Sequence, residues 1–144
     1  MAVDIWQKKI EYTFILNRKS KNTSLKKGNQ MISSNDRFHP IVKSQITKYL
    51  RELGETTALD AGIKERFSPN NPCTVTITVY APTKRRMDAP NWYPTVKALL
   101  DGITDAGLWT DDNNDVIKVV SFKYGGLSGD KQYRLKIEIE VYNG

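Results

Sequence analysis

The chain has one cysteine, Cys73, and one histidine, His39. A lone thiol excludes a disulfide framework and a thiolate zinc site. Cys73 follows Pro72 and opens an alternating run, so it reads as a small core residue. A lone imidazole with no His or Cys partner is a poor metal ligand, so His39 reads as a loop or cap residue. There is no Gly-rich phosphate loop and no G-x-S-x-G, which removes the nucleotide-cradle and serine-hydrolase patterns. No organic cofactor is implied. The sequence has no signal peptide and no long apolar run, so no membrane partner is expected and the cytoplasm is the expected compartment. No repeat and no linker composition divides it, and residues 1–144 read as one domain.

What is present is ordinary in amount and uneven in placement. Hydrophobic content of 39% and charged content of 26% suit a globular protein. At 144 residues, roughly two-thirds of the unfolded surface can be buried without staples. The net charge of +6 favours nucleic acid or another anionic surface as partner. That charge is not spread evenly. Residues 1–50 carry +7, 51–87 carry +2 and 116–144 carry +2. Asp88 to Asp115 holds six aspartates against one base, Lys97, a net −5. A basic surface suits a polyanion, and an acidic island within it suits a cation where that polyanion is bound or cut.

The pattern predicts an α+β fold in the order β-α-β-α-β-β, a mixed β-sheet with two main helices packed on it. Residues 8–16 read as a strand, rich in aromatic and β-branched types. Asn17 to Asn35 is polar and aperiodic, and reads as a long mobile loop. Pro40 opens a helix whose apolar residues run from Ile41 to Leu53. Gly54 is expected to end or kink it, with a further helical turn between Thr57 and Phe67. Cys73–Tyr80 alternates and is the clearest strand. Pro94 opens a second helix with a stripe of Val96, Leu99, Leu100 and Ile103, ended by Gly107. Residues 116–124 and 133–142 read as two strands joined as a hairpin through Gly125–Asp130.

Two constellations could carry chemistry. Asp111-Asp112-Asn113-Asn114-Asp115 fails as an EF-hand, which needs Gly at Val116 and an acid at Phe122. It is otherwise an Asx turn or half of a magnesium site, completed by Asp88 and substrate phosphates. Lys97 pairs with Asp101 at i,i+4, or else stabilises charge on a phosphate.

The run RRMDAPNWYPTVKALLDGITDAGLWTDD, Arg85 to Asp112, resembles the RusA family of Holliday junction resolvases. The family pattern is basic residues, D-x-D-N, a Lys, a short helix and an "AG-x-W-x-DD" turn. Asp88 matches the first Asp, Asn91 the Asn, Lys97 the Lys, Ala106–Trp109 the turn, and Asp111-Asp112 the paired acids. Ile32 to Arg37 is similar to the family's amino-terminal S-x-N-R loop. Two features depart: the family's second Asp falls on Pro90, and Trp92 to Pro94 are extra. Longer phage and prophage members carry a similar D-x-x-N-W-Y-P-T form.

The resemblance implies a metal-dependent endonuclease that resolves four-way DNA junctions in recombination and repair, acting as a homodimer. Its catalytic residues would be Asp88, Asp112 and Lys97. Asp88, Asp112 and Asp111 would hold Mg²⁺, with Mn²⁺ as a substitute. Lys84, Arg85, Arg86, Asn35, Arg37 and Asn91 would hold DNA. The alternative is a non-catalytic protein that binds branched DNA on the same scaffold.

Overall fold

The computed structural model describes residues 9–20, 22–85 and 87–144. Lys8, at the start of the first expected strand, and Arg86 lie outside the described residues. Four strands form one mixed sheet: β1 (Lys9–Leu16), β2 (Cys73–Ala81), β3 (Ile117–Leu127) and β4 (Tyr133–Val141). Two long helices, α1 (Pro40–Ala61) and α2 (Tyr93–Ala106), pack against it. Short 3₁₀ turns lie at Leu25–Lys27 and Ala89–Trp92. No helix is long and apolar enough to cross a membrane among the described residues.

Alternation builds the sheet's inner face. Ile10, Tyr12, Phe14 and Leu16 of β1 are buried, as are Val75, Ile77 and Val79 of β2 and Leu135, Ile137 and Ile139 of β4. The period of two sends these side chains toward one layer. Ile46 and Leu50 of α1 and Val96, Leu99 and Ile103 of α2 complete the core. Cys73 is fully buried, as its position in the alternation predicts. His39 caps α1, its Nδ1 accepting from the Ile41 N–H at 3.2 Å.

The strand order is β1-β4-β2-β3, which corrects the expected hairpin. β3 pairs parallel with β2, and β4 pairs antiparallel with β2 and β1. A parallel pair needs a long crossover, and α2 supplies it between β2 and β3. With that side of β2 taken, β4 returns on the other. Composition agrees. β4 is buried at Leu135, Ile137 and Ile139 and suits the centre, whereas β3 is exposed along most of its length and suits an edge.

Gly54 does not end α1. The helix runs on to Ala61, which takes in the first part of the expected separate turn, and residues 63–67 are not helical. A Cβ at Gly54 would collide with the Leu99 carbonyl oxygen of α2, and one at Gly102 would collide with that of Arg51 on α1. The two glycines are therefore the contact at which the helices cross. An added methyl at either would force the helices apart, at about 1–3 kcal/mol.

The segment after β1 is a loop, as expected, but it is tied down rather than loose. Asn29, Met31 and Ile32 are buried. The Asn29 amide donates to the carbonyls of Thr23 and Met31 at 2.9 and 3.0 Å. Thr95, buried on α2, accepts from the Ile32 N–H and donates to the Ile32 carbonyl at 2.8 and 2.9 Å.

Candidate nucleic-acid interface and charged triad

Two polar sites adjoin the start of α2. The first is a cleft between the β1–α1 loop and the β2–α2 loop. It has two overlapping lobes of about 330 and 600 Å³. Ser33, Asn35, Thr83, Arg85, Trp92 and Tyr133 line both, and Asp88 and Asn91 close one end. The loops are cross-tied at this point. The Asn91 carbonyl accepts from the Ser34 N–H at 2.8 Å and from its hydroxyl at 3.2 Å.

The cleft's back wall is a stack. Arg18 forms a bidentate pair with Asp36 at 2.7 and 2.8 Å and donates to the Met31 carbonyl. The Asp36 side chain is only 1% exposed, so this pair is held by the fold. The Arg18 guanidinium lies 5.2 Å from the centre of the Trp92 ring, and Trp92 meets Tyr133 edge to face at 5.0 Å. Burial raises the Tyr133 phenol pKa, partly offset by Arg18 and Arg85, so it stays a neutral hydroxyl. Trp92 is buried, whereas Tyr93 is half-exposed and outside the core.

The second site is a charged triad. Lys97 on α2 donates to Asp101 Oδ1 and to Asp112 Oδ2, both at 2.9 Å. The pair with Asp101 is the one that helix spacing predicts. The contact to Asp112, from the turn after α2, ties two elements through one ammonium. Asp101 first, and then Asp112, raise the Lys97 pKa against its partial burial. Partial burial pushes the Asp112 carboxyl up, but hydrogen bonds from Lys97 and its neighbours outweigh this and hold it below the usual range. Asp105, one turn beyond Asp101, is turned away from Lys97 to a bidentate pair with Arg51 of α1.

The candidate site residues thus fall into groups. Asp112 and Lys97 are together, with Asp101 as a third member. Asp111 accepts from the Asp112 N–H at 2.7 Å, and Asn113 Oδ1 accepts from the Asp115 N–H at 3.0 Å, the Asx turn that composition allowed. Asp88, Asn91, Asn35 and Arg85 meet in the cleft. Among the described residues, no hydrogen bond or ion pair joins Asp88 to Asp112. Lys84 and Arg37 are exposed, and Arg37 folds back onto the Asp36 carbonyl at 3.1 Å. Arg86 lies outside the described residues. Arg18 and Tyr133 are site residues that sequence reasoning does not find. Each reaches the cleft through a contact far away in sequence, with no local pattern to announce it.

As a metal centre the arrangement is sparse. Among the described residues, no three His, Cys, Asp or Glu side chains are grouped to hold an ion. The ammonium of Lys97 already sits between the carboxylates of Asp101 and Asp112. What these residues fit is an ion held by one or two carboxylates and completed by substrate phosphate oxygens, the usual magnesium arrangement.

No protein-family model matches the chain, and no curated protein matches it.

Proposed function

We propose that the chain is a metal-dependent endodeoxyribonuclease that binds four-way DNA junctions and cuts them by phosphodiester hydrolysis, as a homodimer in the cytoplasm. The motif from Arg85 to Asp112 is the sequence basis. The observation that supports the reading most is that the cleft and the triad both take residues from the first turns of α2 and the turn before it. Lys97 lies five residues beyond Trp92 on α2, or about 8 Å along a helix axis. A DNA strand held at the cleft would continue along α2 toward an ammonium held in place by two carboxylates. Arg85 and Lys84, with Arg86, supply sequence-independent grip. Lys97 offsets charge that develops on the scissile phosphate, and its two carboxylate partners preorganise it. A bound Mg²⁺ would supply an activated water and polarise the phosphate. A two-fold dimer presents two such sites to a junction of matching symmetry. The outer edge of β3, with Val119, Val120, Tyr124 and Leu127 exposed, is a surface of the kind such a dimer needs.

One observation favours the second reading, a binding protein without catalysis. Pro90, where the family has an acid, is exposed, and no group of three acids forms among the described residues. A nicking assay with Mg²⁺ or Mn²⁺ separates the two, using a synthetic four-way junction beside a linear duplex. Cuts confined to the junction support the nuclease. Tight junction binding without cuts supports the scaffold. Neither binding nor cutting overturns both.

A further inference from the structure

The cleft is built for more than phosphate. Phosphate recognition needs cations and N–H donors. Among the described residues, Arg85 provides the only cationic side chain at the end where Asp88 and Asn91 stand. The other free groups there are of a different kind. Asn35 and Asn91 carry carboxamides, each a donor and an acceptor side by side, and neither makes a side-chain hydrogen bond among the described residues. Their backbones are nonetheless fixed by the Ser34–Asn91 tie. Trp92 and Tyr133 line the lobe with them, and Arg18 packs on Trp92 from the adjoining lobe. The Trp92 indole N–H is buried with no hydrogen-bond acceptor, and such a group is rare unless something outside the chain completes it. Planar aromatic walls with carboxamides at the rim suit a flat ligand whose edge carries donors and acceptors, which is the chemistry of a nucleobase.

We infer that this cleft takes one nucleobase turned out of the stack near the junction's crossover. The protein then reads the base beside the phosphate it acts on. The inference rests on the proposed junction binding and adds a base-reading site to it. A base at a branch point is already imperfectly stacked, so the cost of turning it out is lowest there. Trp92 and Tyr133 supply the stacking surface. Asn35 and Asn91 supply the edge contacts. Arg85 holds the phosphate next to the base.

Four-way junctions carrying 2-aminopurine at each position around the crossover test this in the absence of divalent ions. Its fluorescence rises when the base leaves the stack. One position should brighten several-fold on binding, and the rise should disappear with Tyr133→Leu. Asn35→Ala, at an exposed site where folding is not at risk, should weaken binding of the intact junction roughly tenfold, the scale of one carboxamide–base contact. The same substitution should cost nothing on a junction with an abasic residue at the bright position. Junction bound tightly with no position brightening overturns the base site while leaving junction binding standing. An equal loss for Asn35→Ala on intact and abasic junctions does the same, and makes the cleft a phosphate site. Absence of junction binding altogether removes the proposed function, and the base site with it.

Discussion

Around Lys97 the charges are paired, whereas in the cleft the side chains of Asn35, Arg85, Asp88 and Asn91 hold no hydrogen bond or ion pair among the described residues. Both regions draw on the stretch of chain between β2 and β3, and the cleft also on the β1–α1 loop that carries Asn35. The contrast separates two kinds of work. Groups already paired have a fixed geometry and a fixed charge state, and suit a step that needs a charge in one place. Groups left free have kept their hydration, and suit the first contact with a ligand that replaces water. On this division the triad governs the chemical step and the cleft governs binding.

The sharpest way to break the division is Asp112→Asn. It removes a carboxylate that steadies Lys97 and stands among the candidate metal ligands. Cleavage of a four-way junction should fall below detection, while gel-shift affinity for the junction is unchanged or tighter, because one negative charge near a polyanion is gone. Loss of junction binding by a folded Asp112→Asn protein would show that the triad also holds the ligand.

Lys97→Ala is expected to act less completely. Losing one preorganised stabilising group slows single-turnover cleavage by roughly two orders of magnitude. It also leaves Asp101 and Asp112 without their shared cation, so the Asp112 carboxyl should titrate at higher pH than in the parent, which carboxyl NMR can follow. If Lys97 were only an exposed i,i+4 partner of Asp101, the substitution would cost about 0.3–0.5 kcal/mol of stability and no activity. Lys97→Arg should rescue poorly, since a planar fork does not place its charge where a compact ammonium does.

For the cleft, Arg85→Ala, combined with Arg86→Ala at the next position in the motif, should weaken junction binding and flatten its dependence on salt. Removing one phosphate-neutralising cation reduces the slope of log K against log salt by about 0.9 on duplex arms. The single-turnover rate at saturating protein should change far less than the affinity. An unchanged slope would place the DNA elsewhere on the surface.

How much of the molecule is legible in its sequence follows the range of the interactions. Alternation over Cys73–Tyr80 and the apolar stripe of α2 are local signals, and the corresponding elements are where they are expected. The error at Gly54 has the opposite origin. A glycine reads locally as a helix stop, and only the approach of Leu99 on α2 shows that it is needed in mid-helix. The β3–β4 hairpin fails likewise, because a Gly-rich connection between two strands does not reveal that β2 lies between them. For the site, Lys97 and Asp101 are four residues apart, so helix geometry alone pairs them. Arg18 with Asp36, and Tyr133 with Trp92, are brought together by the tertiary fold. Of the cleft's wall the motif therefore contains Trp92 but neither Arg18 nor Tyr133, while the rim, Asn35, Arg85 and Asn91, is named by the motif.

The smallest expected effect comes from a third place, where a charge is paired but no cleft adjoins it. Asp105 accepts two hydrogen bonds from Arg51 across the α1–α2 contact, at 2.5 and 2.8 Å. The hydrogen bonds from Arg51 hold its carboxyl below the usual range, against an opposing push from burial. A depressed carboxyl contributes stability that is present above its unfolded pKa, near 4, and disappears as pH falls through the lower folded value. Asp105→Asn should therefore lower the urea midpoint at pH 7 and narrow the gap to the parent as the pH drops below about 4. Both side chains are partly exposed, at 53% and 33%, so water and salt screen the pair and the shift should be small. Junction cleavage should be unaffected, because the pair ties helix to helix and joins neither the cleft nor Lys97. A midpoint shift of the same size at pH 7 and pH 3 would mean that packing, not charge, is what Asp105 contributes. A loss of cleavage without a loss of stability would extend the charged site along α2 by a full turn beyond Asp101.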